Sequence, residues 1–313
     1  MNSDPRSCSL DVDLGRIKVT SPERRQRIGN VFDCIAARYD LMRFRIHGRR
    51  EFVLKTDSFS LPRLATAALL AVVAISTARA QEVWREPVTG MDFVRVPGGC
   101  FEMGDTFGDG ETNELPVHKV CMKPYWIGRH EVTQAQWTRL MDYNMSIFNA
   151  SPAHPVDSVN QADIAAFVGK LGGHHPDKVF RVPTEAEWEY ACRAGGQRER
   201  FGGEPPPDGA NTAEYADRHG EGSMAAGSFA PNALGIHDMS GNLWEWVSDV
   251  YAADAYLHHE AENPHYQSSG PSRLLRGGAW SHDAAFARCT KRHMHCRPTA
   301  RFDFVGFRLV LEE

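Results

Sequence analysis

The chain has 313 residues, of which 42% are hydrophobic and 24% are charged. These proportions are those of a folded globular protein, and they exclude a disordered chain, a collagen-like chain and a polytopic membrane protein. Residues 1–80 carry 14 Lys and Arg against 8 Asp and Glu, whereas residues 81–313 carry 21 against 32. The acidic C-terminal part argues against nucleic-acid binding, which requires a basic surface. The length favours about two domains.

An uncharged, mostly apolar run covers residues 64–78, directly after Arg63, and ends in the small-x-small sequence Ala78-Arg79-Ala80. The run is shorter than the ~20 residues that a membrane-spanning helix needs, and its flanks are typical of a secretory signal peptide. We therefore expect a signal peptide at 60–80 and a periplasmic or secreted mature protein without a stable membrane span. A buried helix and a retained N-terminal anchor are the alternatives.

The residues before the apolar run are unusual, because a signal peptide normally begins the chain. Residues 26–48 resemble the start of ubiquinone/menaquinone methyltransferases, but no Gly-rich loop for S-adenosylmethionine follows them. We expect no methyltransferase activity and interpret residues 1–59 as an N-terminal extension. Residues 1–41 would be a mis-assigned start or a fusion remnant, with Met42 as an alternative start.

Residues 81–89 are predicted to be a linker, and the elements that follow are short. Two strands flank a Gly-Gly turn at 91–104, the acidic, Gly-rich stretch 105–116 predicts a solvated loop, and strand-like residues lie within 117–131.

Capping residues then mark three helices. The first follows Thr133, the second follows Asn160 and ends at Gly172-Gly173, and the third follows Thr184. Residues 197–240 have little periodicity, and strand-like segments return at 243–247, 274–280 and 305–311. Loops of this length in a compact domain predict stabilisation by a metal ion or a disulfide.

The seven cysteines include Cys8 and Cys34 before the apolar run; the other five are Cys100, Cys121, Cys192, Cys289 and Cys296. No C-x-x-C pair is present, which gives zinc-ribbon and thioredoxin-like functions no support. In an oxidising compartment, four of the five later cysteines can pair and one is left over.

Seven motifs follow one another in a characteristic order: Val96–Gly104, Gly128–Thr133, Pro152–Val156, Arg181–Ala191, Pro231–Trp246, Leu275–Trp280 and Gly306–Val310. Together they resemble the formylglycine-generating enzyme, or sulfatase-modifying factor, family over nearly all of a domain at 90–313. The resemblance implies an α+β fold of the C-type-lectin-like kind, with little regular secondary structure.

In the family's active enzymes two cysteine thiolates bind copper(I), a soft ion that suits soft ligands, and O₂ oxidises a substrate cysteine to formylglycine. Here the matching stretch, residues 277–288, contains no cysteine, and Ala279 replaces the usual serine. We therefore do not expect formylglycine generation, or copper or iron at the family's usual position.

The resemblance also implies a disulfide between Cys192 and Cys289, which match a structural cysteine pair of the family. Cys100 and Cys121 flank the acidic loop on neighbouring predicted strands, so we expect them to pair as well. Buried free thiols are the alternative for each pair.

Calcium is the cofactor that the resemblance implies. One family site matches the side chains of Asp238 and Glu245 with the carbonyls of Gly241 and Leu243; a capped turn before a buried strand is the alternative. A second site would use Asn211, the Thr212 carbonyl, Asp217 and the His219 carbonyl. At the second site this chain departs from the family pattern by a one-residue gap in the alignment.

Cys296 is left over in the sequence His293-Met-His295-Cys296. On an extended segment His293 and His295 share one face, and His282 could complete a speculative nitrogen and sulfur metal site. A polar surface loop with a free cysteine is the alternative.

No catalytic residue is assigned. The resemblance implies that Trp244 and Arg292 lie near a substrate groove, and His282 and Cys296 are the other groove candidates. Arg292 and Arg301 could bind an anionic ligand or a peptide backbone, or could form structural ion pairs.

Two functions remain open. The first is an exported oxidoreductase-type modifier of a peptide or secondary metabolite, similar to the family's periplasmic siderophore-maturation enzymes. The second is a non-catalytic lectin-like binding or display module. Its variable window would be 281–305, with His282, Asp283, His293, His295, Phe302 and Phe304. Either function predicts a peptide, protein or small-molecule partner and a monomer.

Overall fold

The computed structural model of the protein describes residues 42–46, 49–53, 81–206, 208–270 and 272–313, and for residues 42–46, 49–53 and 294–296 only the backbone. The predicted signal run at 64–78 and most of the extension lie outside these residues. The chain divides into two units, residues 1–78 and 79–313. In the first unit, β1 (Met42–Ile46) pairs antiparallel with β2 (Arg49–Val53).

The second unit contains eleven of the described strands. In chain order they are β3 (Val83–Arg85), β4 (Asp92–Val96), β5 (Gly99–Met103), β6 (His118–Met122), β7 (Tyr125–Gly128), β8 (Phe180–Arg181), β9 (Trp244–Val250), β10 (Arg273–Arg276), β11 (His293–Cys296), β12 (Val305–Gly306) and β13 (Val310–Glu312). The four described α-helices are α1 (Gln134–Trp137), α2 (Gln161–His174), α3 (Glu185–Cys192) and α4 (Ala213–His219). Short elements joined by long irregular segments confirm the predicted α+β class.

Three sheets organise this unit. A five-stranded sheet has the order β3-β4-β7-β13-β8, and a four-stranded sheet has the order β11-β10-β9-β12. Strands β5 and β6 pair with each other, with Cys100 opposite Cys121. Strand β12 runs parallel to β9, with Val305 beside Trp244, so the last motif of the chain lies against the first residue of β9.

The predicted helix starts are confirmed. The Thr133 hydroxyl accepts from the Gln136 amide, the Asn160 side chain accepts from Ala162 and Asp163, and the Thr184 hydroxyl accepts from Glu187. Each cap satisfies backbone amides that have no partner within the helix.

The helix ends differ from the prediction. Helix α2 continues through Gly172 and Gly173, and a Cβ at either position would meet nothing within 4 Å. Helix α4 lies in a segment that was predicted to be irregular. The prediction missed it because its seven residues are too few and too polar to show a helical period. Residues 81–89, predicted to be a linker, contain β3, which pairs with β4 in the five-stranded sheet.

The acidic segment 105–116 is a loop with exposed residues, as the sequence predicted, but two of its carboxylates are anchored. The Glu114 carboxylate is fully buried and accepts from Arg288 at 2.7 and 2.8 Å. Asp105 accepts the backbone amides of Phe107, Gly108 and Gly110, which closes the turn. The sequence did not indicate this anchor because the partner of Glu114 lies 174 residues away in the chain.

Both predicted disulfides are confirmed: Cys100 is bonded to Cys121 and Cys192 to Cys289. The first joins β5 to β6, and the second joins α3 to the segment before β11.

Two hydrophobic clusters fill the interior, one around Trp137, Phe167 and Phe307 and one around Trp188. Among the described residues, no helix has the length and apolar character to cross a membrane.

Candidate functional site

Trp244 begins β9 and forms the floor of the candidate site. Its backbone amide donates to the Phe304 carbonyl at 2.9 Å, and its side chain is fully buried. The indole Nε1 is also buried, and it has no hydrogen-bond partner. A buried donor without an acceptor costs about 1–3 kcal/mol, so this N–H is a position where a bound ligand would recover free energy.

Aromatic and imidazole rings cover Trp244. The ring of His293 stacks on the indole with centroids 4.7 Å apart, and His282 meets it edge-on at 5.7 Å. The centroids of the two imidazoles are 5.9 Å apart. The ring centroids of Phe304 and His282 are 5.3 Å apart. Phe304 also stacks on Phe302, which is 37% exposed. We call these five side chains the ring face.

The backbone before the ring face depends on glycine. Gly277 and Gly278 have φ values of +106° and +77°, a region that residues with a Cβ rarely adopt. A Cβ on Gly278 would also lie 2.9 Å from the Phe286 carbonyl oxygen. These two glycines let the chain leave β10 and turn back so that His282 reaches Trp244.

The residues present do not fit the family's copper(I) pair. Residues 277–288 contain no cysteine, and the next cysteine, Cys289, is already bonded to Cys192. All four cysteines whose side chains the structure describes form disulfides. The side chains of His295 and Cys296 lie outside the described residues, so the speculative metal site rests on His282 and His293 alone. Burial lowers the pKa of His282, which keeps its imidazole neutral at neutral pH.

The two arginines proposed for ligand binding both form ion pairs. The Arg292 Nε donates to Glu185 Oε1 at 2.7 Å, and the arginine side chain is buried. Arg301, whose side chain is 32% exposed, pairs with the buried Asp163. Arg292 therefore lies among buried carboxylates, whereas the ring face gathers Trp244 and His282 from the predicted groove set.

The first predicted calcium loop contains a buried carboxylate oxygen without a partner. Asp238 Oδ2 accepts the Gly227 amide at 2.6 Å, while Oδ1 accepts nothing. Burial raises the pKa of Asp238 to about 6. Glu245 accepts from Trp188 Nε1 at 2.8 Å and from Arg308 at 2.6 and 2.7 Å. A hard cation beside Asp238 Oδ1 would satisfy the unpartnered oxygen.

The second predicted calcium loop lies against the first. Asn211 Oδ1 is buried without a partner, and the Asn211 carbonyl accepts the Asn242 amide at 2.8 Å. A Cβ on Gly241 would lie 2.4 Å from that carbonyl oxygen, which explains the glycine. Asp217 and His219, predicted for the same site, are exposed on α4.

Sequence reasoning missed Glu131, which is fully buried beside these loops. Its carboxylate accepts from Asn242 Nδ2 at 2.7 Å and from the Leu243 amide at 3.1 Å. Burial, with Asp238 and Glu245 nearby, raises its pKa well above the usual range. The signal was its place in the motif Gly128–Thr133, where a glutamate precedes the capped helix.

Comparison with known proteins gives a consistent result. Residues 79–313 match the model of the sulfatase-modifying factor enzyme 1-like domain. The formylglycine-generating enzyme of Streptomyces coelicolor is 30% identical over 285 residues, a match that covers 69% of this chain and 88% of that enzyme. The serine/threonine-protein kinase pkn1 of Chlamydia pneumoniae is 31% identical over 248 residues, but this match covers only 37% of the kinase.

Among solved structures, PvdO from Pseudomonas aeruginosa superposes with a TM-score of 0.65 at 26% identity, covering 74% of this chain and 98% of PvdO. The fold is the C-type-lectin-like fold of these proteins, as predicted. The matched domain begins at residue 79 and leaves the methyltransferase resemblance of residues 26–48 without support. With the ordered motifs, the domain match and the superposition in agreement, the chain belongs to the sulfatase-modifying factor (formylglycine-generating enzyme) family.

Proposed function

We propose that this protein is an exported member of the family whose ring face recognises a peptide or a small-molecule ligand. The unpartnered, buried Nε1 of Trp244, beneath a set of stacked rings, carries the proposal. A flat or aromatic group would stack on the partly exposed rings that cover Trp244, and an acceptor that enters between these rings would take the buried indole N–H. Aromatic contacts of this kind contribute about 0.5–1.5 kcal/mol each beyond the area they bury.

A peptide selection against the full chain tests this function. Peptides enriched from a displayed library should bind the parent and should lose about fivefold to tenfold in affinity on His293→Ala, because an anchoring ring is truncated. Trp244→Phe, which keeps the ring but removes the N–H donor, should weaken the same peptides. His258→Ala, an exposed histidine outside the ring face, is the control. Equal affinity for all four proteins would place the binding surface elsewhere.

The second candidate is oxidoreductase-type modification of a peptide or secondary metabolite without the copper cysteine pair. His282 and His293 favour it, because two imidazoles on one face are suitable ligands for copper or iron. Such a metal would supply the redox chemistry, and the ring face would hold the substrate beside it.

We also propose calcium as the structural ion of the loops that carry Asp238 and Asn211. The supporting observation is the pair of buried, unpartnered oxygens, Asp238 Oδ1 and Asn211 Oδ1. Calcium prefers six to eight oxygen ligands, which short irregular loops supply readily. Bound there, it would hold the segment that leads into β9 and Trp244.

Elemental analysis of protein purified without a chelator tests both proposals about metals. We expect calcium in the parent, and about one equivalent less in Asp238→Asn, because the ligand charge is lost. Near-stoichiometric copper or iron that disappears in His293→Ala would support the oxidoreductase. A protein that contains calcium but no copper or iron would favour ligand recognition over the oxidoreductase. An unchanged calcium content in Asp238→Asn would contradict the calcium assignment.

A further inference from the structure

We infer that Glu185, Asp249 and His259 form a binding site for a divalent transition-metal ion, with Zn²⁺ as the best match to the ligands. Each residue offers one ligand atom, and these atoms all lie within 4.8 Å of one another. Glu185 opens α3, Asp249 lies near the end of β9, and His259 follows a short turn of helix at Ala255–Leu257. This inference is independent of the proposed function.

Hydrogen bonds determine which imidazole nitrogen is available. The Pro116 carbonyl oxygen can only accept, so the Nδ1 of His118, 2.9 Å away, carries the proton. In a neutral His118 ring, Nε2 must then accept, and its partner at 3.0 Å is His259 Nδ1. His259 therefore donates through Nδ1 and keeps a lone pair on Nε2.

That Nε2 atom is buried and has no hydrogen-bond partner. The Nε2 lone pair gains no hydrogen bond there, whereas a cation would bind it together with an oxygen of each neighbouring carboxylate.

The two carboxylates are held in place by other groups. Asp249 accepts the backbone amides of Glu185 at 2.7 Å and Tyr266 at 2.8 Å. Glu185 accepts from Arg292 at 2.7 and 3.1 Å and from the Tyr256 hydroxyl at 3.2 Å. Glu185 Oε1 accepts two of these bonds, which uses both of its lone pairs. Glu185 Oε2 and each Asp249 oxygen accept one bond, so each of these oxygens keeps a lone pair for a cation.

The combination of ligands points to the kind of metal. Zinc binds one to three imidazole nitrogens together with Asp or Glu oxygens, commonly with an open position. The bond from His259 Nδ1 to His118 is the outer contact that typically fixes the orientation of a metal-binding histidine. Calcium would leave the imidazole unused, since it prefers oxygen ligands.

Titration of the full, calcium-saturated chain with Zn²⁺ by calorimetry tests the inference. We expect His259→Asn to bind one equivalent of Zn²⁺ less than the parent, because asparagine can keep the bond to His118 but removes Nε2. The neighbouring residue His258 is exposed and provides the control. His258→Asn should bind as much Zn²⁺ as the parent. His293→Ala should also keep this equivalent, which separates the site from the ring face.

His118→Asn keeps all three proposed ligands and should weaken the same binding event by about 10- to 100-fold, the effect of losing an outer contact. This variant keeps the test informative if circular dichroism shows that His259→Asn does not fold. Identical Zn²⁺ isotherms for the parent, His259→Asn and His118→Asn would overturn the site and would indicate that the three side chains share a proton instead.

Discussion

Replacing Arg308 with methionine is expected to lower the free energy of unfolding by about 3–5 kcal/mol, the usual cost of removing one partner of a buried ion pair. Arg308 and Glu245 are both fully buried, and the guanidinium donates to the carboxylate at 2.6 and 2.7 Å. Arg308 also donates to the carbonyls of Gly128 and His237. The methionine would leave all of these acceptors without their donor.

Three buried carboxylates lie around this one guanidinium. Coulombic interaction with Glu245, Glu131 and Asp238 raises the pKa of Arg308, so it stays charged at any ordinary pH. Without Arg308 the Glu245 carboxylate would stay buried without its cationic partner. The loss therefore exceeds that of a simple change in packing.

Urea unfolding followed by far-ultraviolet circular dichroism, in buffer with calcium, measures this effect. The matched control is Arg218→Met, which breaks the ion pair with the exposed Asp208 and should cost about 0–1 kcal/mol. Glu245→Gln in the Arg308→Met background should recover part of the loss, because the uncompensated charge is gone. Losses of similar size for the two arginines would contradict the proposed role of burial.

Replacing Cys192 and Cys289 together with alanine is expected to cost about 2–5 kcal/mol, the range for removing a native disulfide from a small secreted domain. This bond links residues 97 positions apart, and both cysteines are fully buried. The Cys100–Cys121 bond links residues only 21 positions apart. A disulfide removes entropy from the unfolded chain, and the entropy removed grows with the logarithm of the length of the closed loop. The long bridge should therefore stabilise the folded protein by about 1.4 kcal/mol more than the short bridge.

The measurement compares three proteins in buffer without a reducing agent, so that the remaining disulfides stay intact. They are the parent, Cys192→Ala with Cys289→Ala, and Cys100→Ala with Cys121→Ala. Urea midpoints and slopes give the free energy of unfolding of each. The short-bridge variant is the matched control, since it also loses one disulfide. A larger loss in the control than in the long-bridge variant would show that loop length does not determine the order of the effects.

The candidate site was only partly predictable. The resemblance identified Trp244 and the Cys192–Cys289 bond. The neighbouring predicted strands around the acidic loop identified the Cys100–Cys121 bond. Glu131 was visible in the motif Gly128–Thr133, but nothing local indicates that its carboxylate holds the Asn242 and Leu243 amides. Nor did spacing indicate that Arg292 pairs with Glu185, 107 residues earlier in the chain.

The amino-acid sequence by itself determined the helix starts, the α+β class, the family and the absence of a cysteine at residues 277–288. All of these depend on local chemistry: a capping hydroxyl next to its own helix, or a motif whose residues are neighbours. Only the tertiary structure brought together Glu114 with Arg288 and Glu185 with Asp249 and His259. These contacts join segments far apart in the chain, and their partners are selected by the burial of charge, which no local pattern records.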